Sequence, residues 1–514
     1  MLISIFRGKF AFALKVITLL ILTSILVMLA QQALASSEYA IAIFLAISIV
    51  MINFVYLTKR SVPLKFFLPG LLFLLAFVIG PILYTLVMSG FTYQTGNTLS
   101  KADAITQVQK LGVVQDSNQT IFDVTIGKNG SNELSLLYFD SLTNEFAIST
   151  EKARTAEPES TVVKDEFDIP LSSPNFSALT EDELGALDAQ IPALKFYYSD
   201  EYYLGLEGFQ AASLYKKSLQ FNEARDEFKS LINNDIYRDN GRGNFANINN
   251  PEDILQPGWR SPIWFENYTK LFSEERLRTP FIKVFLWTIS FAGLSVLTTF
   301  ALGLLLAIAL NKAIRGRRFY RSILILPYAM PSVMSILIWG GMFDTEFGAI
   351  NNLFGTDIAW FQNAAFARTA VIVVNLWLGF PYFYLVASGA LQAIPAELSE
   401  AAAIDGATPR QIFNKITLPL LLKILSPLLI ASFAFNFNNF NLIYLLTGGG
   451  PIAQLDGEIA GSTDILISYT YKIAFNQGNS NLGLASAISV LIFLLVASIS
   501  MYGLKKSKVL DDFV

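Results

Sequence analysis

The chain has 514 residues, 53% of them hydrophobic and only 15% charged, with a mean hydropathy of +0.47. It contains no Cys and no His, which excludes disulfides, thiol catalysis and His-based triads and leaves a zinc enzyme without its usual ligands. The formal charge of −4 is unevenly spread: 92–280 carries 29 acids and 17 bases, net −12, and the remainder 12 acids and 20 bases, net +8, so a polytopic membrane protein with two solvent environments is implied.

A helix needs ~20 apolar residues to cross a bilayer. Eight stretches qualify: 16–35, 39–57, 67–91, 284–310, 320–342, 369–391, 424–446 and 482–504. The first follows a basic segment (Arg7, Lys9, Lys15) and ends at Ala33-Leu34-Ala35, the pattern of a secretory signal. Cleavage would leave seven spans in the same orientation, so charge does not separate the two readings. The apolar run is long for a signal core, and we expect a retained span.

Lys59, Arg60 and Lys65 lie between the second and third spans. Lys312, Arg315, Arg317, Arg318 and Arg321 follow the fourth, Arg410, Lys415 and Lys423 the sixth, and Lys505, Lys506 and Lys508 the eighth. With the three N-terminal bases these 17 all fall on one side, and the short loops opposite hold only Arg368 and Lys472. The positive-inside rule makes both termini cytoplasmic.

The acidic stretch 92–280 is then external and large enough for a domain. In "TIFDVTIGKNGSNELSLLYFD" (120–140) two β-rich runs flank a Gly-Lys-Asn-Gly turn, a hairpin signal, and "NEFAIST" (144–150) reads as another strand. "EARDEFKSLI" (223–232) has helical spacing. The aromatics of "KFYYSDEYYLGLEGF" (195–209) suit a core or an interface better than a spacer.

Pro327 and Pro331 predict a kink in the fifth span, for packing or as a gating hinge. In the sixth, Asn375, Leu378, Gly379 and Tyr382 recur at intervals of three and four and share a face near the middle. The seventh crowds Asn436, Asn438, Asn439 and Asn441 near its centre, with Ser432, Phe435, Asn436 and Asn439 assigned to one face. Amides that donate and accept, beside aromatic faces, suit the hydroxyls and C–H faces of a neutral sugar, at the depth where transporter sites lie. They equally suit interhelical hydrogen bonding, and spacing leaves both readings open.

Between these spans "EAAAIDGATPRQIFNKITLP" (400–419) is polar, rich in helix-favouring alanine, and interrupted by Gly406. We expect a short, rigid cytoplasmic helix that inserts into a partner's cleft. Pro419 resets the chain into the next span.

Glu400, Ala401, Ala402, Gly406, Ile416, Leu418 and Pro419 stand at the spacing E-A-A-x3-G-x9-I-x-L-P, which resembles the signature of permease subunits of ABC importers. "ILILPYAMPS" (323–332), "NLWLGFPY" (375–382), "SFAFNFNNFNLIYLL" (432–446) and "LTGGGP" (446–451) are similar to the larger permease subunits of maltose importers. "PGWRSPIWFENYTKLF" (257–272) carries that likeness to the end of the outer stretch.

The resemblance implies an all-α polytopic membrane protein with the type I ABC permease fold, about eight transmembrane helices and an inserted β-containing periplasmic domain. The divisions would be 1–91 (three spans), 92–280 (periplasmic domain), 281–504 (core of five spans with the coupling loop 400–419) and 505–514 (cytoplasmic tail). It implies residence in a bacterial inner membrane and import of maltose or maltodextrin delivered by a periplasmic binding protein. The partners would be a second, smaller permease subunit and two ATPase subunits that receive 400–419. By the same resemblance Asn375, Leu378, Gly379, Tyr382, Phe435, Asn436 and Asn439 would bind the sugar, leaving Asn438 and Asn441 as helix glue.

No cofactor is expected in this chain, ATP and Mg being held by the partners, and it is not expected to be an enzyme. No G-x-x-x-x-G-K-[ST] loop occurs in it. A membrane receptor would need a cytoplasmic output domain, and ten residues follow the last span here. An ion-coupled secondary transporter would need midplane carboxylates, which the spans lack.

Overall fold

The computed structural model describes residues 9–36, 38–58, 62–115, 120–166, 168–187, 191, 194–311, 315–452, 459–475 and 480–506. Of the orienting bases, Arg7, Lys59, Arg60, Lys312 and Lys508 lie outside the described residues. The chain divides into two units, 1–87 and 88–514.

The first unit holds three apolar helices: α1 (Lys9–Ala35), α2 (Tyr39–Leu57) and α3 (Val62–Met88). Asn53 Nδ2 donates to Thr23 Oγ1 at 2.9 Å, tying α2 to α1, and Leu19, Ile52, Val55 and Leu68 form a small core. Most remaining apolar side chains are exposed, as helices bathed in lipid require. In α3 the turn Leu75–Ile79 is wound as a π-helix, and Gly80 N–H reaches back to Leu75 O. The wider turn precedes Pro81, which has no N–H to give and whose ring crowds the preceding turn.

The second unit begins with the β-rich insert that follows α3 in the chain. Its larger sheet runs in the order Lys195–Tyr197, Tyr202–Leu206, Ala211–Lys217, Ile121–Asn129, Leu134–Asp140, Glu145–Thr150, Arg154–Glu157, with Val113–Gln115 and Phe176–Ala178 paired off that path. Alternate residues Phe122, Val124, Ile126, Leu136 and Tyr138 enter one core with Phe196, Leu204 and Leu214. A second sheet, Leu219–Asn222, Glu227–Ser230, Ile236–Asp239 and Phe245–Asn247, buries Phe228 and Phe245 against Trp259.

The expected hairpin is present, but its turn is 129–133 rather than the Gly-Lys-Asn-Gly step. Asn129 Oδ1 accepts from Ser131 and Glu133 N–H, and Asn132 takes φ +63°. "NEFAIST" forms the strand Glu145–Thr150 as expected. "EARDEFKSLI" does not form a helix: Asn222 Oδ1 captures the N–H groups of Ala224 and Arg225 in a turn, and Glu227–Ser230 continues as a strand that buries Phe228. Here burial of one aromatic overrides helical spacing.

The domain closes on itself at a neck. Phe91–Thr92 pairs antiparallel with Ser261–Pro262, and Asn97–Leu99 pairs parallel with Gly258–Trp259. Helices resume before the expected boundary at 280, with α4 (Glu266–Ser273) and the 35-residue α5 (Glu275–Ala309).

The fifth apolar stretch is two helices, α6 (Arg317–Ala329) and α7 (Ser332–Met342), bent by 94°. The expected kink is a full break, because Met330, before Pro331, is held in the extended region at ψ 141°. Next come α8 (Ala364–Ala393), α9 (Ala396–Ile404) and α10 (Pro409–Ile412), then α11 (Leu418–Phe437), α12 (Phe440–Leu446), α13 (Leu466–Phe475) and α14 (Leu482–Lys506). Among the described residues seven helices are long and apolar enough to span, or eight if the bent pair is one span.

The seventh span is not one helix. It stops at Asn438, and Asn439 caps α12 by accepting Leu442 N–H, so side chains that compete for backbone hydrogen bonds divide the run. Of the span-length helices among the described residues α8 is the most buried, with half of its apolar window inside the protein. It crosses α5 through small residues: a side chain at Gly303 would meet Phe383 Cβ at 2.7 Å, and one at Gly379 would meet Thr299 Cγ2 at 2.8 Å.

Candidate functional site

The break between α11 and α12 brings the amides of the core together. Asn375 on α8 donates Nδ2 to Asn436 Oδ1 at 2.9 Å, and its Oδ1 accepts from Asn439 Nδ2 at 3.2 Å. Asn436 Nδ2 also donates to Ser432 O at 2.8 Å. Asn375 and Asn436 are only 5% and 6% exposed, so three elements are clasped by a buried amide triad. Each NH₂ group carries a second hydrogen, so donor capacity remains.

The face expected for sugar contact is not a single surface. Phe435, one residue from buried Asn436, is 69% exposed and points away from the clasp. Leu378 packs beside Val374, Leu442 and Leu446, and half-buried Tyr382 lies edge-on to Phe383 with ring centroids 5.2 Å apart. Gly379 is the close crossing with α5. Asn438 and Asn441, expected as glue, are both exposed, and the Asn438 side chain donates to Ala434 O of its own helix. The interhelical bonding is done instead by Asn436 and Asn439.

The signature 400–419 is a helix, a turn and a second helix rather than one rod. Helix α9 ends in a Schellman turn: Ala407 N–H donates to Ala402 O, Gly406 N–H to Ala403 O, and Gly406 has φ +83°. No atom lies within 4 Å of a Cβ built there, so the glycine supplies the bend and not a close approach. Thr408 and Gln411 then form a capping box around Pro409. The segment Phe413–Thr417, containing Ile416, is wound as a π-helix, and Leu418 N–H reaches Phe413 O just before Pro419. This is the device seen in α3 before Pro81.

Leu418 is half-buried against the core under α8. Glu400, Ala401 and Pro419 are exposed, Ala402 is half-buried, and Ile404 is 86% exposed at the tip. Between the helices a cleft of about 280 Å³ is lined by Asp405, Gly406, Gln411, Lys415 and Ile416.

A further constellation was only partly legible. Gly449, at φ +83°, lies so close to Asp464 that any side chain there would collide with the carboxylate. Asp464 is fully buried and accepts from Lys472 Nζ and Gly461 N–H, both at 2.6 Å, and from Ser468 Oγ at 2.8 Å. Trp287 Nε1 donates to Thr463 O at 3.2 Å, Arg368 Nε donates to Ser462 O at 2.8 Å, and Arg368 stacks on Trp287 at 4.6 Å. Arg368 on α8 and Lys472 on α13 thus both bond to residues 462–464, just before α13. The glycine run was the visible signal; its acidic partner fifteen residues on was not.

Among the described residues no group of His, Cys, Asp or Glu is arranged to hold a metal ion.

Residues 299–508 match the family model of the binding-protein-dependent transport system inner membrane component. The chain is 35% identical over 497 residues to the maltose/maltodextrin transport system permease protein MalF of Vibrio parahaemolyticus, covering 92% of this chain and 91% of that one. The MalF protein of Klebsiella aerogenes is also 35% identical, over 93% of each chain. That of Escherichia coli K12 is 47% identical over 287 residues, 54% of this chain and 56% of its own. A solved bacterial ABC transporter involved in alginate import aligns over 48% of this chain and 84% of its own at 22% identity, with a TM-score of 0.41. Spans, signature and matched region define an inner-membrane permease of a binding-protein-dependent ABC importer, with a β-rich insert between its spans. Within that class the chain belongs to the MalF family.

Proposed function

We propose that this permease carries maltose and maltodextrins inward across the inner membrane. The observation that carries the reading is the match, along more than nine-tenths of the chain, to relatives that bear that substrate in their names. A second, smaller permease subunit completes the pathway, and two ATPase subunits bind and hydrolyse ATP with Mg. A periplasmic binding protein delivers the sugar to the face that carries the acidic domain, and both termini lie in the cytoplasm. This orientation is supported by the bases beside α3, α6 and α14 and at 410–423. ATP-driven motion enters through 400–419, with exposed Ile404 and the Gly406 turn as the docking element, and is converted into alternating access.

Sugar contact belongs to Phe435 with the free hydrogens of the Asn375–Asn436–Asn439 triad, flanked by Leu378, Gly379 and Tyr382. A second reading is favoured by the mutual bonding of the amides: the triad acts as a clasp that holds α8 to α11 and α12, and Phe435 alone lies on the path. Purification of the tagged chain tests the assembly. The reading expects a smaller permease subunit and an ATPase in the complex, with hydrolysis stimulated by a maltose-loaded binding protein. Recovery of the chain without any ATPase, or stimulation by an unrelated solute only, overturns it.

A further inference from the structure

Trp264 has φ +53°, a left-handed conformation that a bulky side chain rarely adopts. Strain of this kind persists where the surroundings hold it and marks a candidate functional position. Trp264 is nevertheless 74% exposed, and so is Phe265 beside it. Among the described residues none makes a side-chain hydrogen bond or ring contact with the Trp264 indole.

The backbone that carries these rings is held firmly. The N–H groups of Ile263 and Trp264 both donate to Gly90 O, at 2.8 and 2.9 Å. Asn267 Nδ2 donates to Ser89 O at 2.9 Å and Phe91 O at 3.1 Å, and Tyr268 OH donates to Ser89 Oγ at 2.8 Å. Ser89 and Gly90 directly follow Met88, the last residue of α3. On α4 the inward side buries Leu271 in one core with Phe281 and Leu484, near the starts of α5 and α14. The rings are therefore fixed beside the end of one apolar helix and near the starts of two others.

The outward side of α4 continues the patch. Phe265, Tyr268 and Phe272 recur at intervals of three and four, the first two with ring centroids 6.2 Å apart, and Phe272 is half exposed. The charges nearby are paired sideways, Glu266 with Arg242 and Lys270. An uncharged aromatic stripe on an amphipathic helix, at the end of a span, has the composition that membrane–water interfaces select, where an indole keeps its apolar body in the acyl boundary and its N–H among the headgroups.

We propose that Trp264 and Phe265, continued by Phe272, insert into the outer-leaflet interface and anchor the neck of the external domain to the lipid. The partner is the headgroup–acyl boundary of the bilayer. Insertion gives the exposed, strained tryptophan the contact that the chain itself does not supply, and it fixes the height at which the external domain stands above the membrane.

The absence of Cys from the chain makes the test direct. In the assembled transporter in a lipid bilayer, with its other subunits free of reactive thiols, a nitroxide is attached at Phe265→Cys and, as a water-exposed reference, at Leu142→Cys in the external domain. Collision with oxygen, which concentrates among acyl chains, and with a neutral nickel chelate, which stays in water, is measured for each. The oxygen-to-nickel ratio is expected to be several-fold higher at 265. An equal ratio, or a label shielded from both reagents by protein, overturns the proposal. Trp264→Gly, which suits the backbone conformation, gives a second arm: quenching of tryptophan emission by brominated lipid should fall relative to the unsubstituted chain, and unchanged quenching overturns it.

Discussion

Phe435 and Asn436 are adjacent in sequence and opposite in environment, and that contrast separates sugar contact from helix packing in the core site. Phe435→Ala removes a ring that is mostly exposed, so it should lower sugar uptake while changing thermal unfolding little. Asn436→Ala strands a donor on Asn375 in a buried setting, at about 1–3 kcal/mol. It should lower the melting temperature and uptake together. Normal uptake in Phe435→Ala would contradict both readings, since each places that ring on the sugar path. At Gly406 the turn demands φ +83°. Gly406→Ala should cost about 1 kcal/mol locally and weaken stimulation of the ATPase, whereas Gly406→Asn, which tolerates that conformation, should retain more of it. Equal hydrolysis in both variants would remove the turn from the coupling role.

At the scale of elements, much was readable and the failures have causes. The apolar runs marked the spanning helices because a bilayer demands length and composition alone. Breaks were harder, since they depend on backbone competition within a run of uniform hydropathy. Pro331 announced a kink but not a 94° turn, and the Asn438-Asn439 step looked like a helix face although Asn439 serves as a cap. Thr408-Pro409-Arg410-Gln411 is a capping box that local pattern could have revealed. The long-range pairing of Asp464 with Gly449 and Lys472 has no local signature. It carries a prediction: Asp464→Ala leaves Lys472 largely buried without its counter-charge and should destabilise the loop by about 3–5 kcal/mol, read as a lower melting temperature in nanodiscs. An unchanged melting temperature would show that the ion pair is not holding the loop.

For the whole molecule, the β-rich insert stands on a two-stranded neck whose flanking residues also bond to the start of the last span. Gly483 N–H donates to Tyr93 O and Thr95 N–H to Ser480 O, both at 2.9 Å. The neck is thereby hydrogen-bonded to the start of α14 and is not a loose linker. If this domain receives the binding protein, replacing 100–257 with a short linker should abolish stimulation by that protein while the helical core still assembles with its ATPase. Intact stimulation would assign reception to the remaining short connections, among them the one that carries Asp464.

The account as a whole rests on vectorial sugar transport, and one measurement meets it directly: uptake of radiolabelled maltose by proteoliposomes holding the full complex, with ATP enclosed on the cytoplasmic side and loaded binding protein outside. The account predicts accumulation against the gradient that requires both ATP and the binding protein. Hydrolysis of ATP without any accumulation of maltose would contradict it.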